Sequence, residues 1–170
     1  MNRFERFSTS EKLALKQSLV ESATARLLEE LKIVEESQKN AQSNATHSES
    51  KQESDKDMRS TEASYVARGL AKRVESLQTD VASLRRLHFG DCKRVCLGAL
   101  TTVLSEENDL KHYFVLPAAG GIRLELEHEM IVVLTPASPI GKALLGLEEG
   151  EESQIQRGGK ETSLEVVSIF

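Results

Sequence analysis

Tryptophan is absent from this chain, aromatic residues make up 4% of it, and there are two cysteines, four histidines and three prolines in 170 residues. So few aromatics argue against an aromatic-lined ligand pocket. The two cysteines, Cys92 and Cys96, stand as C-x3-C with no second pair and no nearby His-x3-His. That spacing completes neither a zinc ribbon nor a C-x2-C redox pair, and two small thiols packing at the start of a strand are the simpler expectation. The histidines at 47, 88, 112 and 128 are scattered, and none is assigned a catalytic role. No run of 18 apolar residues exists, which excludes a transmembrane helix. The opening MNRFERFSTSEK has no apolar segment, so no secretory signal and a soluble cytoplasmic protein are expected. At 39% hydrophobic residues, a single large core spread over the whole length is excluded. The length suits one ordinary domain, or one small domain with an extended element.

Charge is unevenly spread. The net charge of −5 divides into +1 over 1–34, −3 over 35–62, +4 over 63–94 and −7 over 95–170. An acidic segment followed by a basic one suggests two different kinds of contact.

The first half carries helical signals. Ser8-Thr9-Ser10-Glu11 reads as a capping box, with Ser8 as N-cap and Glu11 reaching back to it. Leu13, Val20, Leu27 and Val34 then recur at sevens, with Ala23 and Leu31 between them. Leu70, Leu77 and Leu84 form a second heptad ladder, with Val66, Val74 and Val81 interleaved. Neither ladder contains proline, and Gly69 is the only glycine. Pairing Leu13 with Leu84, Val20 with Leu77 and Leu27 with Leu70 gives a constant index sum of 97, as an antiparallel hairpin requires. Between them, residues 35–57 offer only Ala41 and Ala45 as apolar side chains, too little to offset the cost of ordering. A firm coiled-coil stem with a polar, mobile far end is expected. Run to its midpoint, such an arm is roughly 50–60 Å long at 1.5 Å per residue.

From about His88 the period becomes extended. Val95–Leu104, Tyr113–Leu116, Ile122–Leu126 and Met130–Leu134 are short apolar or alternating runs, and Pro117–Gly121 reads as a turn. Ile122, Leu124 and Leu126 alternate with Arg123, Glu125 and Glu127, as in a strand with one wet face. Gly158-Gly159 between two extended runs signals a hairpin. One short helix interrupts the strands, with Ser138 as N-cap, Pro139 as its first residue and Gly146 as its left-handed stop. The fold class expected is α+β: a long antiparallel coiled-coil hairpin (1–90, tip roughly 39–60), then a small antiparallel β domain with one short helix (91–170).

The run Thr135–Glu151, with SPIGKALLG at 138–146, the Gly158-Gly159 hairpin and the apolar strand Leu164–Ile169, resembles the C-terminal signature of the bacterial Gre transcription elongation (transcript cleavage) factors. The resemblance covers the β domain well, and the helical hairpin more in architecture than in sequence. It implies an FKBP-like C-terminal domain that docks at the rim of the secondary channel of bacterial RNA polymerase, and an arm that enters the channel. It implies no catalysis of the chain's own and no cofactor of its own. Two acidic residues at the tip would help hold Mg²⁺ in the polymerase active site, where the nascent RNA 3′ end is cleaved. The family's tip, Asp-Leu-Ser-Glu-Asn-Ala-Glu-Tyr, aligns on Tyr65, which puts its acidic pair on Met58 and Thr61. The acids present are Asp57 and Glu62, five apart rather than three, so the bend itself would have to bring them together. Glu49, Glu53 and Asp55 are further candidates, and solvation of the loop is the plain alternative for all of them. Ser138, Pro139 and Ile140 match the loop pressed on the polymerase rim, although Ala137 stands where an acid is often seen. Arg68, Lys72 and Arg73 flank the seam, where they would meet RNA phosphate or remain solvated.

The leading expectation is a monomeric, Gre-like regulator, not membrane-bound, that stimulates cleavage by the polymerase or, cleavage-deficient, modulates or inhibits through the channel. A homodimeric coiled-coil adaptor is the alternative from another class. A peptidyl-prolyl isomerase is disfavoured, since the β domain offers only Phe89, Tyr113, Phe114 and Phe170 to line a pocket.

Overall fold

A computed structural model describes residues 7–48, 56–90, 92–106 and 108–170, without the side chains of 44–48, 56–61, 63, 157 and 160. Two helices come first, α1 (Thr9–Ser48) and α2 (Lys56–Arg85). Six strands and a short helix follow: β1 (Leu100–Ser105), β2 (Leu110–Val115), β3 (Arg123–Leu126), β4 (Glu129–Leu134), α3 (Pro139–Leu144), β5 (Glu152–Arg157) and β6 (Lys160–Ile169). The chain divides into two compact units, Met1–Thr24 with Ser83–Phe170, and Ala25–Ala82. The bases of both helices thus group with the strands.

In the helical unit, Leu27, Leu77 and Val81 are buried, while Leu31, Val34, Leu70 and Val74 are half-buried. The heptad ladders are therefore the seam. Their register differs from the one expected. Arg73 Nη2 donates to Glu30 Oε1, a pair whose indices sum to 103 rather than 97. A slide of one heptad, to a sum of 104, sets Leu27 opposite Leu77 and Val34 opposite Leu70. The last residue of α1, Ser48, and the first of α2, Lys56, also sum to 104. The physical reason for the difference is that a heptad repeat matches itself when shifted by seven. Val66, expected in the ladder, is 56% exposed, because this register sets it opposite Gln38.

The same register accounts for the helix bases in the other unit. Leu84 is 1% exposed and has Val20 as its counterpart at the same sum, whereas Leu13 is 51% exposed. A partner for Leu13 would have to sit beyond Arg85, where α2 has already ended. The α1 cap is the one expected: Ser8 N donates to Glu11 Oε2 at 2.8 Å, and Glu11 N donates to Ser8 Oγ at 3.4 Å. Those bonds hold the Glu11 carboxyl below the usual carboxylate range.

The sheet runs β3-β4-β2-β1-β6-β5. All neighbours are antiparallel except β2 and β4, which pair in parallel with Tyr113 opposite Val132. The sheet is thus mixed, not wholly antiparallel as expected. Its cause is the β3–β4 hairpin: the chain leaves β2, runs out to the edge as β3, and returns into the gap beside β2. Alternation sends Tyr113 and Val115 to one face and Phe114 to the other, and all three are buried. On the first face Val95, Val103, Tyr113, Val115, Leu134, Leu144, Leu164 and Val166 form the core, with Ile140 and both cysteines packed against it. On the other face, Phe89 stacks on Phe114 with ring centroids 6.3 Å apart. Gly158 and Gly159 both take positive φ, 59° and 79°, as the tight β5–β6 turn requires.

Candidate functional site

The β4–α3 turn is built by short-range bonds. Ser138 N donates to Thr135 O at 3.0 Å, and Ser138 Oγ donates to the same carbonyl at 2.8 Å. The Oγ also accepts from Gly141 N at 3.0 Å, capping α3, and Pro139 fills the first helical position with its preset φ. Gly141 permits the close approach: a Cβ there would lie 2.0 Å from Thr135 O. Beneath the turn, Gly120 meets Thr135, whose Cγ2 would sit 2.9 Å from an added Cβ.

This leaves Ala137 and Pro139 exposed while Ile140 anchors to the core. The structure therefore presents Ser138, Pro139 and Ile140 as one rigid corner with a small apolar outer surface. Gly146, at φ 87°, ends α3, and its N donates to Val95 O at 2.8 Å. The acids that follow have structural bonds that the sequence did not reveal. Glu149 Oε1 accepts from Ile169 N at 2.7 Å, Glu151 Oε2 from Glu148 N at 2.8 Å, and Glu148 pairs with Arg94 at 2.7 Å.

Along α2, Glu62, Tyr65, Gly69 and Lys72 follow one another at spacings of three and four, and all are exposed. Arg68 lies beside them, one turn before Lys72. The stripe thus carries a carboxylate nearer the start of α2, then an aromatic ring 69% exposed, then two cations. The exposure of Tyr65 marks it as part of a surface, which its place in the tip alignment does not reveal. Arg73 differs from Arg68 and Lys72, because its guanidinium is bonded to Glu30.

Asp57 and Glu62 both belong to α2. Five residues on a helix turn through 500°, leaving them about 140° apart around the axis. The bend does not lie between them, contrary to the expectation that it would bring them together. Glu62 is exposed, and the side chain of Asp57 lies outside those described. Glu49, Glu53 and Asp55 lie outside the described residues. Among the described residues no group of three or more His, Cys, Asp or Glu is placed to hold a metal ion, and no helix is long and apolar enough to cross a membrane.

Residues 92–170 match the family model described as "Transcription elongation factor, GreA/GreB, C-term". Among solved structures, the chain is similar to the GreA factor homolog 1 (Gfh1) protein of Thermus thermophilus, at 22% identity over 86% of this chain and 94% of that one, with a TM-score of 0.38. It is similar to Gfh1 of Thermus aquaticus at 22% identity over 88% and 94%, with a TM-score of 0.36. The transcription elongation factor GreA/GreB from Nitrosomonas europaea is 19% identical over 60% of this chain and 91% of its own, with a TM-score of 0.35. No curated protein matches the chain.

Proposed function

We propose that this chain, whose residues 92–170 match the GreA/GreB C-terminal domain, is a divergent member of that family and regulates transcription elongation by binding bacterial RNA polymerase at the secondary channel. The observation that carries the proposal is the family match over the whole β domain. The rigid corner Ser138–Ile140 is the docking element: Pro139 is exposed, and Ser138 and Gly141 fix its geometry, so little entropy is lost on binding. The helical hairpin is the part that enters the channel. Arg68 and Lys72, exposed and one turn apart, face RNA phosphate there.

The chain has no catalysis of its own in this reading. Cleavage of RNA by the polymerase needs carboxylates that together steady a loosely held Mg²⁺, and that requires two acids on one face. Asp57 and Glu62 do not share a face on α2. This favours a factor that occupies the channel and modulates the polymerase over one that stimulates cleavage. The partner is the polymerase with its nascent RNA 3′ end, met by a single copy of the chain in the cytoplasm.

The test is a pull-down with bacterial core RNA polymerase, with and without a secondary-channel competitor, together with a cleavage assay on stalled complexes. Binding that the competitor abolishes, with cleavage no faster than polymerase alone, is the expected result. No binding, or binding indifferent to the competitor, would overturn the channel reading. Cleavage that is stimulated, and lost in Asp57→Asn with Glu62→Gln, would overturn the modulator reading.

A further inference from the structure

The segment joining α2 to β1 brings two thiols together. Cys92 Sγ and Cys96 Sγ lie 2.7 Å apart, both half-buried, in a stretch with no regular secondary structure. Backbone bonds fix the Cys96 end of that stretch: Val95 N donates to Leu147 O at 2.8 Å, Gly146 N to Val95 O at 2.8 Å, and Ala99 N to Cys96 O at 3.0 Å. Cys92 also lines an open cavity of about 360 Å³ with Lys12, Lys16, Lys93, Phe89 and Phe170. Among the described residues that line the cavity there are three lysines and no carboxylate side chain. Lys12 Nζ lies 4.3 Å from the Phe170 ring centroid, and Lys16 Nζ 5.8 Å from that of Phe89. The cavity is open, so it admits a small oxidant from solvent to Cys92.

We propose that Cys92 and Cys96 form a reversible dithiol–disulfide site oxidised by hydroperoxides that enter through the lysine-lined cavity. The Cys92 thiolate attacks the distal peroxide oxygen. The O–O bond breaks, an alcohol or water leaves with a proton, and Cys92 becomes a sulfenic acid. Cys96 sulfur then attacks Cys92 sulfur, the S–O bond breaks and water leaves. Two thiols and one hydroperoxide give one disulfide, one alcohol (or water) and one water; two electrons pass from sulfur to oxygen. A dithiol reductant reverses the reaction by exchange. Cys92 is the residue attacked first because it lines the cavity, and Cys96 resolves it. The bond pins the connection between α2 and the sheet. It does not depend on the polymerase reading.

The test uses the full chain, reduced and desalted, exposed to a small excess of hydrogen peroxide and then alkylated. Trypsin cleaves after Lys93 and Arg94, so an internal disulfide holds two peptides together until reduction. The expected product is that linked pair, two hydrogens lighter than the separate peptides, in a chain that remains monomeric. It should form about tenfold faster, or more, in the folded chain than in urea, since the fold holds the sulfurs together. Cys96→Ser should trap a dimedone-reactive sulfenic acid on Cys92, and circular dichroism confirms that the variant is folded. Thiols that alkylate equally before and after peroxide, intermolecular bridges, over-oxidation of one cysteine in the wild type, or equal rates folded and unfolded would each overturn the proposal.

Discussion

Replacing Leu77 by Ala removes a side chain that is 0% exposed, at the centre of the helical seam. The loss combines transfer of the side chain to water with the cavity left behind, about 2–5 kcal/mol for a buried leucine. Leu13, on the other heptad ladder, is 51% exposed, so Leu13→Ala should fall within about 0.5 kcal/mol of wild type. The register makes a sharper claim through double-mutant cycles. With the seam at an index sum of 104, Leu27 and Leu77 face each other and should show a coupling of about 0.5–2 kcal/mol. Leu13 and Leu84 face each other only at a sum of 97, and should be additive within about 0.3 kcal/mol. Urea unfolding followed by helical circular dichroism, with m-values checked for constancy, measures all of these. Coupling between Leu13 and Leu84 with none between Leu27 and Leu77 would refute the register, and with it the placement of every residue along the hairpin.

Ser138→Ala removes both the cap on Gly141 N and the bond to Thr135 O, and should cost about 1 kcal/mol in urea unfolding, while Ser138→Asn recovers part of it. The same substitution should weaken capture by core polymerase. Gly141→Ala drives a Cβ against a backbone carbonyl and should cost about 1–3 kcal/mol or more, whereas Gly69→Ala, with nothing within 4 Å on an exposed helix, should stabilise by about 0.5–1 kcal/mol; parallel melts decide both signs. His112 accepts or donates at Thr102 Oγ1 (3.0 Å), and burial pushes its pKa below the usual 6.5 despite Glu129 nearby. The unfolded chain then binds the proton more readily, so this stability is fully present above about pH 6.5 and is lost as pH falls from there towards the lowered folded value. His112→Gln should flatten that part of the urea-midpoint profile; an unchanged profile would remove the histidine as its source.

Much of the fold was legible because its signals are local. The Ser8–Glu11 box, the Ser138-Pro139 start, the Gly146 stop and the Gly158-Gly159 turn each depend on residues within a few positions, and each is found as read. What failed depends on distant pairing. The heptad ladder identifies the seam but matches itself at every shift of seven, so only the ends of the helices and the Glu30–Arg73 bond choose the register. The parallel β2–β4 pair was hidden for a related reason, since alternation in Leu124 and Ile131 says which face is buried and nothing about strand order. At the site, SPIG chemistry was readable from spacing, but the engagement of Arg73 by Glu30, and of Glu149 by the Ile169 amide, joins residues 43 and 20 positions apart. The cysteines were read as packing residues, and they do pack on the core; their sulfur contact was not legible in a C-x3-C spacing outside a helix.

The register also bears on the acidic end of the hairpin. Sliding the seam by one heptad moves its midpoint from near residue 48 to residue 52, and since both midpoints precede Asp57, that residue and Glu62 follow the bend together on α2. The positions where the family carries its acids, Met58 and Thr61, are three apart on the same helix and about 60° apart around it. Helix geometry is therefore suitable where carboxylates are missing, and unsuitable where they are present. Met58→Asp with Thr61→Glu puts two acids on one face without altering the seam. On the proposed reading this pair should raise cleavage in stalled complexes by about tenfold or more, equivalent to ~1.4 kcal/mol of barrier. Asp57→Asn with Glu62→Gln should leave cleavage at the level of polymerase alone. A double-acid variant that still binds polymerase, yet cleaves no faster, would show that spacing around the helix is not what withholds the activity.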